Sequence, residues 1–207
     1  MDMTRFRKKP VMGILRGVSR DALEPLIETV ISAGLETLEI TMNTEGAASL
    51  ISDAVRTAKG RLMLGAGTVL TKDAMNKALD AGATFIVMPV LVPEVVEACV
   101  RKKVPVFPGA FTPQEIFNAW KAGATMVKLF PAKFLGPSYI KEIKGPFNEI
   151  ELLACGGITP LTIREYLIAG ASAVTFGASV FKKEWLEKGD FTSIGKGIKE
   201  LIEYYAK

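Results

Sequence analysis

Apolar residues recur along this chain in two rhythms: short runs of strand length, and between them longer stretches where they return every three or four positions. Eight runs have strand character, at 11–16, 37–42, 63–69, 85–89, 106–111, 126–131, 151–157 and 173–179. Between the first two, Leu23, Leu26, Ile27, Val30 and Ile31 mark one face of a helix; Ala74, Ala78, Leu79 and Ala81, then Ile163, Tyr166, Leu167 and Ile168, repeat the spacing later. Helix starts are signalled by Ser19-Arg-Asp21, Thr44-Glu45, Thr71-Lys-Asp73, Thr112-Pro-Gln-Glu115 and Thr159-Pro160, each a capping hydroxyl followed by proline or carboxylate. The stops are near copies of one another: Ser32-Ala-Gly-Leu35, Asp80-Ala-Gly-Ala83, Lys121-Ala-Gly-Ala124 and Ile168-Ala-Gly-Ala171. In each, glycine stands where a helix ends on a left-handed residue, and an apolar strand follows.

Eight strands alternating with eight helices predict a single α/β domain over residues 1–207, a parallel sheet closed as a (β/α)8 TIM barrel. An open doubly wound sheet is the alternative. Its dinucleotide fingerprint is approached only by Gly65-Ala-Gly67-Thr-Val-Leu70, which ends in leucine where the fingerprint needs glycine.

Composition narrows the chemistry. The chain has no histidine, which removes Ser-His-Asp and Cys-His hydrolases, His-ligated zinc and histidine acid–base catalysis. Proton transfer must then fall to carboxylate, lysine, tyrosine, cysteine or water. Net charge is +4, but the 26 basic residues are dispersed among 22 acidic ones, which points to anionic small molecules and away from nucleic acid. Apolar residues make up 49% without an uninterrupted membrane-length run, and the basic opening lacks the apolar stretch of a secretory signal, so a soluble cytoplasmic protein is expected, with no membrane partner. Cys99 and Cys155 are too few and too far apart for a disulfide framework or a metal site, and both read as packing residues.

In a barrel, reactive groups stand at the C-terminal ends of the strands. The sixth run, Met126-Val-Lys-Leu-Phe-Pro131, holds one cation among apolar neighbours. Alternation puts Met126, Lys128 and Phe130 on one face and Val127 and Leu129 on the other. A desolvated lysine is a carbonyl nucleophile; the alternative is a strand-end lysine that extends its head to water. Glu39 repeats the oddity in Leu38-Glu-Ile-Thr-Met42, sharing a face with Thr41 while Leu38, Ile40 and Met42 face the helices. A carboxylate and an ammonium that both point inward lower each other's burial cost, and together they suit imine chemistry; a buried pair that only fixes packing is the alternative.

The loops bearing Gly156-Gly157 and Gly177-Ala-Ser179 are candidate phosphate cradles, because backbone N–H groups there can face an anion. Arg16 ends the first strand and can fork onto a carboxylate or phosphate, or be an ordinary surface arginine. Thr68 is a candidate donor to a carboxylate or an ordinary strand-end residue, and Pro89 closes the fourth strand.

With these residues in place, the chain resembles the 2-keto-3-deoxy-6-phosphogluconate and 4-hydroxy-2-oxoglutarate aldolases, small (β/α)8 class I enzymes. The resemblance covers nearly the whole chain. It is carried by Leu38-Glu-Ile-Thr41, Gly65-Ala-Gly-Thr-Val69, Phe107-Pro-Gly109 with Thr112-Pro113, Val127-Lys-Leu-Phe-Pro-Ala132, Lys144-Gly-Pro-Phe147, Gly156-Gly-Ile158 and Gly177-Ala-Ser179. It implies that Lys128 is the Schiff-base lysine and Glu39 the general acid/base. Gly67 and Thr68 would lie beside the pyruvyl carboxylate, joined by Arg16, with Pro89, Phe130, Pro131 and Cys155 also against substrate. Gly156, Gly157, Gly177 and Ser179 would hold phosphate. It also implies a phosphorylated 2-keto acid as substrate, pyruvate as product, no metal, no cofactor, and a homotrimer. A non-covalent phosphosugar isomerase or epimerase, or a passive phospho-ligand binder, are the competing readings. Three positions depart from the family pattern: Asn43 where relatives carry arginine, Val90 where some carry glycine, and Cys155 where Thr-Gly-Gly is common. Cys155 would sit near the aldehyde half of the substrate, which bears on substrate identity and stereochemistry.

Overall fold

The computed structural model describes residues 1–206. Its strands are β1 (Val11–Leu15), β2 (Thr37–Thr41), β3 (Met63–Gly67), β4 (Ile86–Val87), β5 (Val106–Phe107), β6 (Gly109–Ala110), β7 (Val127–Leu129), β8 (Leu152–Cys155) and β9 (Ala173–Phe176). All pair in parallel, in the order β5-β4-β3-β2-β1-β9-β8-β7-β6. The two ends of that order are consecutive in the chain. Pro108 separates them because it has no N–H for the ladder, so the fifth predicted strand is one stave in two pieces. Met88 N donates to Phe107 O at 3.1 Å on one side and Lys128 N to Pro108 O at 2.9 Å on the other, which closes the barrel.

The period of two sorts side chains as the sequence predicts. Leu38 and Ile40, Val127 and Leu129 pack outward against the helices in the larger core, while Met126 joins a separate core inside the barrel. That inner core also holds Met12, Met63, Phe85, Val87, Phe107, Leu153 and Ala173, and Phe6 from helix α1 (Met3–Lys8). Helix α1 precedes the first strand, where sequence reading assigned no element. Asp2 caps it, and it closes the end of the barrel opposite the strand C-termini.

Nine further α-helices follow among the described residues: α2 (Arg20–Ser32), α3 (Ala47–Ala58), α4 (Lys72–Asp80), α5 (Pro93–Arg101), α6 (Pro113–Lys121), α7 (Gly136–Lys144), α8 (Ile163–Ile168), α9 (Lys183–Lys188) and α10 (Phe191–Ala206). Thr71 and Thr112 cap α4 and α6 as predicted, the latter in a full capping box with Glu115. Thr44 and Thr159 do not cap their helices. Gly46, left-handed, precedes α3, and α8 begins only after Thr162, whose hydroxyl accepts from Thr159 N at 3.0 Å. The four repeated stops all form. Gly34, Gly82, Gly123 and Gly170 have φ of 88°, 99°, 101° and 104°, and the next residue's N–H reaches back to the carbonyl of Val30, Ala78, Ala119 or Tyr166.

Candidate active site

Strand β7 carries Lys128 inward between two fully buried outward residues, leaving it 6% exposed; β2 does the same for Glu39, which is 1% exposed. The Lys128 ammonium lies 5.3 Å from the centroid of the Phe130 ring, two residues along the same face. Burial pushes the Glu39 carboxyl above the ordinary carboxylate range, and the charges of Lys128 and Arg16 pull it only part of the way back. Its Oε2 is fully buried and has no protein hydrogen-bond partner. No ion pair within 4.0 Å joins Lys128 to Glu39 among the described residues, so the two charges act on each other across the barrel without neutralising contact.

Cys155 stands on β8 beside this pair. Burial pushes its thiol up to about 11; Lys128, through its charge and a hydrogen bond, and Arg16 oppose that, while Glu39 adds to it. The thiol is therefore neutral near pH 7, and the expectation that Cys155 is only a packing residue gives way to a place in the polar group of the site. Cys99 does pack in the core, its Sγ 3.5 Å from Met75 Sδ.

Glycine makes room for the carboxylate. A Cβ on Gly67 would stand 2.4 Å from Glu39 Oε1, so Glu39 occupies space that any other residue at 67 would fill. Thr68 follows with φ of 55°, a rare conformation for a β-branched residue, and its Oγ1 receives a long 3.4 Å bond from Arg16 Nη2. The guanidinium that sequence reading left between site and surface is thus exposed yet tied to Thr68 and felt by Glu39.

The candidate phosphate loops also meet. Ser179 Oγ donates to Ile158 O at 2.8 Å, joining the loop after β9 to the loop after β8. Gly156 and Gly157 are left-handed, with φ of 97° and 82°, and the N–H groups of Gly157, Ala178 and Ser179 donate to no backbone carbonyl. Gly156 lies over Pro131, and Gly177 over Ile14. A cleft of about 440 Å3 opens between Arg16, Ser19, Gly177, Ala178 and Lys183. A second, of about 250 Å3, lies by Pro89, Val90, Phe111 and Phe130. A hollow of about 800 Å3 lies between α2 and α10 on the outside and includes none of the candidate residues.

Some of the site's framework escaped sequence reading. Thr41 and Thr44 share a 3.1 Å hydroxyl contact, and Gly17 N donates to Thr44 Oγ1 at 3.1 Å, tying the loops after β1 and β2 together. The inward alternation of Glu39 and Thr41 was the available signal for this, but Thr44 was taken for a cap. The stacking of Phe85 beneath Gly65, where a Cβ would be 2.4 Å from the ring, had no sequence signal.

The sequence profile of the KDPG and KHG aldolase family matches residues 3–197. The 2-dehydro-3-deoxy-phosphogluconate aldolase of Haemophilus influenzae is 32% identical over 201 residues, 96% of this chain and 94% of that protein. The 2-dehydro-3-deoxy-6-phosphogalactonate aldolase of Escherichia coli is 32% identical over 176 residues, 84% and 86%. Among solved structures, KDPG aldolase from Legionella pneumophila, with pyruvate captured as a covalent carbinolamine intermediate, superposes with a TM-score of 0.87 at 25% identity, covering 95% of each chain.

Proposed function

The chain belongs to the KDPG and KHG aldolase family and is accordingly a lyase, and from that premise we propose that Lys128 is its Schiff-base nucleophile and Glu39 its proton shuttle, acting on a 2-keto-3-deoxy-6-phospho-sugar acid. The observation that carries this reading is the placement of both groups inside the barrel, mutually sensed but not in contact. The Lys128 amine attacks the C2 ketone to form a carbinolamine. Glu39, whose proton affinity burial raises, gives the proton with which the hydroxyl leaves as water. In the resulting iminium the C3–C4 bonding pair becomes the C2=C3 bond of an enamine as the C=N π pair moves onto nitrogen, while the Glu39 carboxylate takes the C4 hydroxyl proton. The aldehyde, glyceraldehyde 3-phosphate, departs; the enamine is protonated at C3, and hydrolysis releases pyruvate and the free lysine.

Arg16 and Thr68 hold the pyruvyl carboxylate beside Gly67, and Pro89, Phe130, Pro131 and Cys155 wall the pocket. The loops at Gly156, Gly157, Gly177 and Ser179 hold the phosphate through backbone N–H groups. The shorter 4-hydroxy-2-oxoglutarate is cleaved to pyruvate and glyoxylate by the same steps. The enzyme acts as a cytoplasmic homotrimer. Supporting assembly, Phe134, Leu161 and Ile168 are apolar side chains 72%, 78% and 80% exposed; no helix among the described residues is long and apolar enough to cross a membrane.

Pyruvate release from a panel of phosphorylated and unphosphorylated 2-keto-3-deoxy acids of both C4 configurations tests this. Release from a phosphorylated member that vanishes in Lys128→Ala supports the reading. Proton exchange without carbon–carbon cleavage would replace it with an isomerase, and binding without either would leave a passive binder.

A further inference from the structure

The floor of the barrel carries an aromatic column that ends beside the catalytic carboxylate. Phe6, fully buried on α1, meets Phe107 edge-on at 6.2 Å between centroids, and Phe107 meets Phe85 edge-on at 5.9 Å. The Phe85 ring fills the inward position of Gly65, and Gly65 is the register partner of Glu39 on the neighbouring strand. The aromatic column therefore ends in the strand layer that carries Glu39.

Three buried side-chain oxygens have no protein partner among the described residues: Thr37 Oγ1, Glu39 Oε2 and Thr175 Oγ1. All three point into the barrel. Thr37 shares the inward face of β2 with Glu39, and Thr175 alternates with the outward-packed Val174 and Phe176 on β9. Water admitted through the floor would find polar partners leading up to the carboxylate. Phe6 stands at the entrance.

We propose that Phe6 is a positioning residue for the aldolase reaction: by plugging the barrel floor, it keeps water from Glu39 and so holds that carboxyl ready to act as an acid. The inference rests on the roles of Lys128 and Glu39 given above. The charged or titratable groups facing Glu39 are Lys128 on β7, Arg16 after β1 and Cys155 on β8. Strand β3 offers only Gly65 and Gly67 there, and β1 only Ile14. Helix α1 adds no charge to the interior, because its Arg5 and Arg7 pair with Glu36 and Glu151 at the rim. The floor thus acts through dryness, which is the leading cause of the raised Glu39 proton affinity.

The test is the pH dependence of kcat/KM for full-length Phe6→Ala and Phe6→Leu, with pyruvate and borohydride labelling of each protein alongside. The limb of the profile that belongs to Glu39, identified by its loss in Glu39→Gln, moves towards lower pH by about one unit in Phe6→Ala and by less in Phe6→Leu. A variant that only loosens the fold lowers the yield of active enzyme without moving the limb. Should Phe6→Ala not fold, the graded shift is read in Phe6→Leu, which refills most of the space. Labelled variants with the wild-type limb would overturn the role of the floor alone. An unlabelled wild-type enzyme would overturn the aldolase reading beneath it.

Discussion

At the scale of single residues, the proposed roles rest on two ionisable side chains, Lys128 and Glu39, buried on the inward faces of their strands. Glu39→Gln keeps the amine and the cavity but removes the exchangeable proton, so pyruvate is still captured on Lys128 while turnover falls by roughly 100- to 10,000-fold; trapping and steady-state assays on one preparation check both halves. Gly67→Ala drives a methyl into the Glu39 carboxyl, 2.4 Å away, and is expected to lower kcat on the order of 100-fold with little change in melting temperature. The same burial has a cost in stability. Because the folded Glu39 carboxyl holds its proton more tightly than the unfolded one, stability is lost as pH rises above the unfolded value and the loss is complete above the folded value. Glu39→Gln is therefore more stable than wild type at pH 8, and the advantage shrinks as pH falls from the raised folded value towards the ordinary carboxyl range, below which it no longer changes; urea melts at pH 8 and in that lower range measure it. The sequence marks Lys128 and Glu39 because each breaks an apolar strand on its inward face. It does not mark the strain at Thr68, whose φ of 55° depends on how the end of β3 turns towards Arg16.

At the scale of elements, the repeated Ala-Gly phrase is the most informative local signal, because a left-handed residue with a bond five positions back is a local requirement that glycine alone meets cheaply. Gly123→Ala combines a φ of 101° with a Cβ 2.8 Å from Val100 Cγ2 and is expected to cost about 2 kcal/mol while leaving kcat unchanged, as chemical denaturation and initial rates can show. The capping box of α6 is equally local: Glu115 accepts from the N–H groups of Phe111 and Thr112, which hold its carboxyl below the ordinary range. The caps expected at Thr44 and Thr159 do not form, the first because of a contact from the loop after β1 and the second because of a local one. The Thr44 hydroxyl is taken by Gly17 N and Thr41, and the chain at Thr159 bonds first to Thr162. The split of the fifth stave was foreshadowed by Pro108, but its continuation as β6 is decided by β7, whose Lys128 N takes the Pro108 carbonyl.

For the whole molecule, alternation of strands and helices predicts a parallel sheet buried on both faces, and eight such units without the dinucleotide fingerprint of the open doubly wound sheet favour the closed barrel. Helix α1 was not legible: six residues with one buried apolar side chain carry no periodicity, and Phe6 gains its meaning only from Phe107 and Phe85 far along the chain. The candidate phosphate loops are legible in the sequence only as glycine-rich strand ends, while the Ser179 bond that joins them required the fold. Lys128 and Glu39 are both buried on inward strand faces of the one barrel, close enough for the charge of Lys128 to act on Glu39. Incubation with pyruvate, reduction with borohydride and peptide mapping by mass spectrometry examines that arrangement at the reacting atom. The label is predicted on Lys128 and absent from Lys128→Ala; undiminished labelling of Lys128→Ala, or a label on any other lysine of the wild-type enzyme, would contradict it.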